Sequence, residues 1–324
     1  MSGGDGGAFD RRAIPADAVE DFWRAQDGHR IRRIDWPMPP GKPRGSILFL
    51  PGRGDNYEKY LETLDHWTRA GWKVTASDWR GQAGSGRLGM DGVTGHIDDF
   101  SIWVADLAFL WRQWAAETPG PHVLAAHSMG GQMALRAIAE RAVVPDAAVL
   151  SAPMLGFNGP FPAAFMHGLA RLMAGLGDRR RPAWKWSEKP GEVPEGRENL
   201  LTHDHDRYAD ELWWREHRPE LVMGPGSWGW VERAYASMRS LCRPGVLEAV
   251  DVPIYFVATD RDRLVSFAAM ERAAERLPKG EMLRFGEEAH HEILREADEV
   301  RDRALAGIDA FLSRVCGPEA ATKP

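Results

Sequence analysis

The segment Val123-Leu124-Ala125-Ala126-His127-Ser128-Met129-Gly130-Gly131 runs from a short apolar stretch into a serine followed by small residues, and an amphipathic stretch comes next. A strand that turns sharply into a helix, with Ser128 on the turn, reads in this way. The pattern is G-x-S-x-G with Ala126 in the first glycine position, where a small residue is needed because strand and helix pass close together. Ser128 must adopt a strained backbone conformation so that its hydroxyl stands clear of the sheet. Five residues make a weak motif, and an inert Ser-Met-Gly-Gly loop fits them as well. The reading therefore depends on whether the chain supplies a sheet and the partners that a nucleophilic serine requires.

The sheet is legible on both sides of the motif. Short apolar runs at residues 46–50, 73–77, 122–126, 147–151, 253–258 and 282–285 alternate with longer stretches of helical period, the signature of a mostly parallel sheet covered by helices. The clearest helix spans 99–117, where Ile102, Leu107, Leu110, Trp111 and Trp114 share one face. Further helices are expected at 134–141 and 297–315, and residues 30–36 read as an antiparallel edge strand ending at Pro37-Met38-Pro39-Pro40. Between residues 153 and 245 the alternation stops: no strand candidate occurs and six of the 14 tryptophans fall there. This stretch reads as a mostly helical cap inserted into a core made of residues 1–152 and 246–324.

Composition narrows the function classes. Hydrophobic residues make up 44% and charged residues 27% of the 324, as in an ordinary globular chain. The net charge of -6 is spread out with no basic stripe, which leaves nucleic-acid binding without an electrostatic footprint. Only Cys242 and Cys316 occur, in no ligand-spaced pattern, so a disulfide framework and structural zinc are not expected. No apolar run reaches the length of a membrane span. Residues 1–10 are Gly-rich and read as a frayed tail without the features of an export signal, which points to the cytoplasm.

A serine hydroxyl becomes nucleophilic when a histidine can take its proton, and that histidine needs a carboxylate to fix its tautomer. On a sheet of this kind the three follow in the order serine, acid, histidine. After the run 253–258 comes Thr259-Asp260-Arg261-Asp262-Arg263-Leu264-Val265, and after 282–285 comes Glu287-Glu288-Ala289-His290-His291-Glu292-Ile293. Both segments sit at the carboxyl ends of strands, where open α/β sheets place their sites.

With these residues in view, the chain resembles the α/β-hydrolase family that contains monoacylglycerol lipases, bacterial lysophospholipases and serine aminopeptidases. The resemblance covers most of the chain. It selects Asp262, followed by Arg-Leu-Val, over Asp260, and His291, followed by Glu-Ile, over His290. Asp78-Trp79-Arg80-Gly81-Gln82-Ala83-Gly84-Ser85 resembles the family's D-x-R-G-x-G-x-S loop, and Leu50-Pro51-Gly52-Arg53-Gly54 occupies its oxyanion loop. Proline stands at 51 where the family usually has histidine; only its own N–H is lost, so the backbone N–H groups of Arg53 and Met129 are the expected oxyanion donors. The resemblance implies ester hydrolysis through an acyl-enzyme on Ser128, with His291 as base and Asp262 as its orienting acid. It implies a lipid-like ester substrate and no metal or organic cofactor. Dehalogenase and epoxide-hydrolase chemistry are excluded, because those relatives carry aspartate at the position of Ser128.

Several residues have two readings. His127 reads as a packed strand-end residue, because alternation turns it away from Ser128. The string His203-Asp204-His205-Asp206 has ligand-like spacing, but consecutive loop residues rarely converge on an ion. Phe157, Phe161, Phe165, Met166, Leu169 and Met173 are expected on the underside of the cap, and Phe157, Phe161, Phe165 and Trp230 are the candidate substrate contacts. Arg179-Arg180-Arg181 with Trp184, Lys185 and Trp186 suits an anionic headgroup or bilayer surface, whereas Glu188, Glu192 and Glu195 dilute the charge and favour a solvated loop. Peripheral membrane contact through the cap thus stays open. Two alternatives remain beside the esterase: an aminopeptidase that holds a free amine on Glu195, Glu198 or Asp204, and a non-catalytic binding protein on the same scaffold.

Overall fold

The computed structural model describes residues 9–185 and 196–317. Eight strands run through these residues: β1 (Val19–Arg24), β2 (Arg30–Asp35), β3 (Gly45–Leu50), β4 (Trp72–Ser77), β5 (His122–His127), β6 (Ala147–Ser151), β7 (Ile254–Thr259) and β8 (Gly280–Phe285). They form one sheet in the order β1-β2-β4-β3-β5-β6-β7-β8, in which β2 pairs antiparallel with both β1 and β4 and every other pairing is parallel. The central strands β3, β5 and β6 are buried along nearly their whole length because both faces of the sheet are covered.

The period of two along β3 shows how the core divides. Ile47 and Phe49 pack on one face with Val123 and Val149, under α1 (Leu61–Arg69) and α9 (Asp298–Cys316). Leu48 and Leu50 pack on the other with Leu124 and Leu150, under α2 (Phe100–Glu117) and α3 (Ser128–Ala139). The register pairs Ile47 with Val123 and Leu48 with Leu124, so a slip of one residue would exchange the two cores. Between β6 and β7 lie α4 (Ala163–Gly175), α5 (Glu198–Leu201), α6 (His205–His217) and α7 (Trp228–Leu241), with no strand among the described residues. After β7 comes α8 (Phe267–Arg276).

Three expectations are corrected, and two helices are added. Residues 30–36 do not form the sheet edge, since β1 lies outside β2 with Trp23 opposite Ile31. That strand, VEDFWR, buries only Trp23 and so carries no readable alternation. The helix after the turn begins at Ser128 rather than 134, because Gly130 and Gly131 hide its start. A Cβ on Gly130 would lie 2.4 Å from the Pro51 carbonyl oxygen, and one on Gly131 would lie 2.9 Å from Pro153 Cβ, so close packing excludes better helix formers there. Helices α1 and α8 escaped the sequence reading, since each buries an apolar stripe of only a few residues. Phe9 and Asp10 are not frayed: Phe9 packs on the core, and Arg11 and Arg12 pair with Asp210 of α6. Residues 1–8, and also Trp186, Glu188, Glu192 and Glu195, lie outside the described residues.

Candidate active site

Four loops meet where parallel strands end. Ser128 follows β5 with φ at +52°, a left-handed conformation that a non-glycine residue adopts only when its surroundings impose it. Those surroundings are specific: Met154 N–H donates to the Ser128 carbonyl at 2.9 Å, and Gly52 runs so close that a Cβ there would lie 3.0 Å from Ser128 Cβ. The side chain projects into the space above the sheet, with α3 opening directly behind it. The first N–H groups of a helix lack intrahelical partners and carry positive potential, and Met129 is in that turn.

His291 follows β8 and Asp262 follows β7. Ser128 Oγ lies 2.9 Å from His291 Nε2, and His291 Nδ1 lies 2.6 Å from Asp262 Oδ2. With Nδ1–H donated to the carboxylate, Nε2 is the acceptor for the serine hydroxyl. The second carboxylate oxygen, Oδ1, accepts N–H bonds from Leu264 at 2.8 Å and Val265 at 2.9 Å, which fixes the orientation of the group. Burial would push the Asp262 carboxyl up, but His291 and those N–H groups hold it below its usual range. Burial would push the His291 ring down, yet Asp262, then Glu292 and Asp55, outweigh it and hold the ring above the usual histidine value.

The loop after β3 is pinned at each residue. Pro51 O accepts from Trp79 Nε1 at 2.8 Å, Gly52 N–H donates to Asp55 Oδ2 at 3.2 Å, and Gly54 N–H donates to Gln82 Oε1 at 2.6 Å. This fixes the backbone of Arg53 between them. The Arg53 guanidinium donates to Gly224 O at 2.7 Å and lies about 5 Å from the rings of Trp184 and Trp230. With Pro-Gly at 51–52 the loop is held by these three hydrogen bonds, and proline forgoes only its own N–H.

A cavity of about 310 Å³ opens at Ser128. Met154, Phe157, Trp184, Leu201, Trp230 and Val265 form its apolar wall, while Arg53, Asp55, Lys59, Arg197 and Glu292 form its polar end. Of the four candidate substrate contacts, Phe157 and Trp230 line it, and Phe161 and Phe165 do not. Those two are 58% and 59% exposed, and Leu169 is also turned outward. The reason is that α4 packs on α7 through His167 and Ala170, which turns positions 161, 165, 169 and 172 to the opposite side.

The other doubtful residues separate cleanly. Asp260 pairs with Arg284 of β8 at 2.6 Å and with Arg261 at 3.4 Å, while Asp262 is the carboxylate that holds the His291 ring. His290 stacks on His203, with ring centroids 3.7 Å apart. Asp204 caps α6 by accepting Arg207 N–H at 2.8 Å, and His205 pairs with Glu198. Among the described residues no group of three or more His, Cys, Asp or Glu side chains converges to hold a metal ion. His127 is buried, as a strand-end residue should be, but it also lines the cavity; its Nδ1 lies 2.8 Å from Tyr60 Oη and 3.1 Å from Asp55 Oδ2, and its ring is 4.8 Å from that of His291. Sequence reasoning missed Asp55, Lys59 and Tyr60 altogether. They follow the loop after β3 as Asp-Asn-Tyr-Glu-Lys-Tyr, a string whose charged and polar side chains read as facing water, and only the burial of Tyr57 and Tyr60 around it would have signalled otherwise.

The geometry has counterparts in known proteins. The family model described as "Serine aminopeptidase, S33" matches residues 41–298. Lysophospholipase L2 of Escherichia coli strain K12 is 30% identical over 320 residues, covering 93% of this chain and 91% of that protein. Monoacylglycerol lipase of Mycolicibacterium smegmatis is 25% identical over 277 residues, covering 84% and 89%. Among solved structures, a soluble variant of monoglyceride lipase from Saccharomyces cerevisiae, bound to a substrate analog, superposes with a TM-score of 0.74 at 17% identity over 95% of this chain and 98% of that one. That likeness concerns the fold alone.

Proposed function

The chain belongs to the serine aminopeptidase S33 family and is an ester hydrolase of the α/β-hydrolase fold, and we propose that it cleaves lipid-like carboxylic esters, a lysophospholipid or a monoacylglycerol, through an acyl-enzyme on Ser128. The observation that carries the reading is the unbroken line of hydrogen bonds from Ser128 Oγ through His291 to Asp262, opening on an apolar cavity.

In this mechanism Ser128 Oγ attacks the ester carbonyl while His291 Nε2 takes its proton. Asp262 keeps the ring in the correct tautomer and stabilises the imidazolium that forms. The N–H groups of Arg53 and Met129 receive the oxyanion, each such donor contributing about 3 kcal/mol to the transition state. His291 then protonates the departing alcohol, and water, deprotonated by the same nitrogen, releases the acid. A long acyl chain would lie along Met154, Phe157, Leu201 and Trp230. Residues 153–245 act as the cap over the site in this account, and residues 1–152 and 246–324 as the core.

The aminopeptidase alternative loses support. Glu198 and Asp204 pair with His205 and Arg207 and do not line the cavity. The carboxylates near it, Asp55, Glu211 and Glu292, already surround the Lys59 ammonium, the place a substrate amine would occupy. Turnover of a p-nitrophenyl acyl ester and of a lysolipid, set against an amino-acyl amide, tests the assignment; preference for the amide would reverse it.

We propose that the protein works in the cytoplasm, and that any contact it makes with a membrane is peripheral, at the inner face and through the cap. No helix among the described residues is long and apolar enough to cross a bilayer. The outward row Phe161, Phe165, Leu169, Leu172 and Leu176, with Arg171 beside it, is the surface that would meet lipid.

A further inference from the structure

We propose that Lys59 is a positioning residue for this reaction, its buried ammonium locking the oxyanion loop, the histidine loop and cap helix α6 into one register. The inference rests on the reading of Ser128 and His291 as the reacting pair. Lys59 lies on the single turn Tyr57–Tyr60 that leads into α1. Its Nζ is 2.8 Å from Asp55 Oδ1, 2.5 Å from Glu292 Oε1 and 3.0 Å from Glu211 Oε2. Each carboxylate belongs to a different part of the site. Asp55 holds Gly52 N–H with its other oxygen, and Tyr60 Oη and His127 Nδ1 lie against that same oxygen. Glu292 is the residue after His291, and its own N–H donates to Leu201 O at 2.8 Å. Glu211 comes from the middle of α6.

An ammonium has three N–H groups, and here three carboxylates from three segments meet it. A cluster this buried gains little stability over apolar packing of the same volume, so stability is a poor account of it. What it does supply is geometry, because Asp55 and Glu292 cannot move apart while both hold Nζ. The distance between the oxyanion donors and His291 follows from that constraint, and displacements well under 1 Å matter at such a site. The cluster also sets the charge that His291 feels. Asp262 faces the ring from the loop after β7, Glu292 from its own loop and Asp55 from the oxyanion loop. His127 lies against it from β5, and Lys59 and Arg295 neutralise the carboxylates from behind.

The test uses the full chain in two variants, Lys59→Met and Glu292→Gln, with active sites titrated by a fluorophosphonate and turnover of a p-nitrophenyl ester followed against pH. Lys59→Met is expected to lower kcat per titrated site by about tenfold or more with little change in KM, as a misplaced catalytic group does. Unmasked Asp55 and Glu292 should move the acid limb of kcat/KM up by about half a unit, and Glu292→Gln should move it down by a similar amount. A residue with only a structural role would lower the melting temperature and leave both limbs in place. Should Lys59→Met fail to fold, an unmoved limb in Glu292→Gln is enough to overturn the inference. A labelled wild type with unmoved limbs in both variants overturns this inference alone, whereas an unlabelled wild type overturns it together with the reading of the reacting pair.

Discussion

Replacing Asp262 by asparagine probes the one contact on which the proton transfer turns. The two oxygens of Asp262 are not equivalent: Oδ1 receives the N–H groups of Leu264 and Val265, and Oδ2 receives His291 Nδ1–H at 2.6 Å. An asparagine keeps the two backbone bonds only with its carbonyl at the Oδ1 position, which puts its NH2 group against His291 Nδ1. Two donors cannot face each other, so the ring must carry its proton on Nε2, and Nε2 can then no longer accept from Ser128 Oγ. The imidazolium formed in the transition state also loses its counter-charge. Together these should lower kcat by about four orders of magnitude, or about 5.4 kcal/mol at 1.36 kcal/mol per decade. The assay is steady-state hydrolysis of a p-nitrophenyl ester near pH 8, normalised to folded protein by a melting curve. An Asp262→Asn protein that folds and keeps kcat within about tenfold of wild type would refute the reasoning, because the tautomer argument allows no such residual.

Four further outcomes follow from the same geometry. Asp260→Asn should leave kcat within about twofold, since its partner is the exposed Arg284 and such surface pairs contribute little; a loss like that of Asp262→Asn would move the acid to position 260. The acid limb of kcat/KM should fall above about pH 6.5, because the neutral ring is the base and its pKa is held above the usual histidine value; a limb clearly below that would contradict the electrostatic account. In Gly130→Ala the new Cβ would meet the main-chain oxygens of Pro51 and Leu50 at 2.4 and 2.6 Å, so a loss of about 2–3 kcal/mol in unfolding free energy is expected in denaturant melts. Serine at both Phe161 and Phe165, which are exposed and outside the cavity, should weaken co-sedimentation with phosphatidylglycerol vesicles and leave turnover of a short soluble ester unchanged; equal vesicle binding by the variant would remove α4 as the lipid-facing surface.

The sheet was legible because its central strands are buried on both faces and therefore read as nearly continuous apolar runs at residues 46–50, 122–126 and 147–151. The edge was not: β1 buries Trp23 and little else, so no period marks it. Gly130 and Gly131 concealed the start of α3 for a physical reason, since the packing that makes the turn possible requires residues that are poor helix formers. At the site, order along the chain pointed to Ser128 and to two short segments after it, the family resemblance selected Asp262 and His291 within them, and the structure brings these three within hydrogen-bonding distance. The lining of the cavity was harder to read. Phe161 and Phe165 fit a helical stripe as well as Phe157 does, but which side of α4 faces inward is set by its packing on α7, a contact distant in sequence. Lys59 and its three carboxylates are separated by up to 233 residues, and a buried charge is indistinguishable from a solvated one until the fold is known.

The central claim is that Ser128 is the nucleophile. Incubation with a fluorophosphonate, digestion and mass spectrometry of the modified peptide test it directly, with Ser128→Ala alongside. The account predicts a single adduct on Ser128, matched by loss of ester turnover, and neither adduct nor turnover in Ser128→Ala. An adduct on another residue, or an alanine variant that still hydrolyses the ester at a rate near wild type, would contradict it.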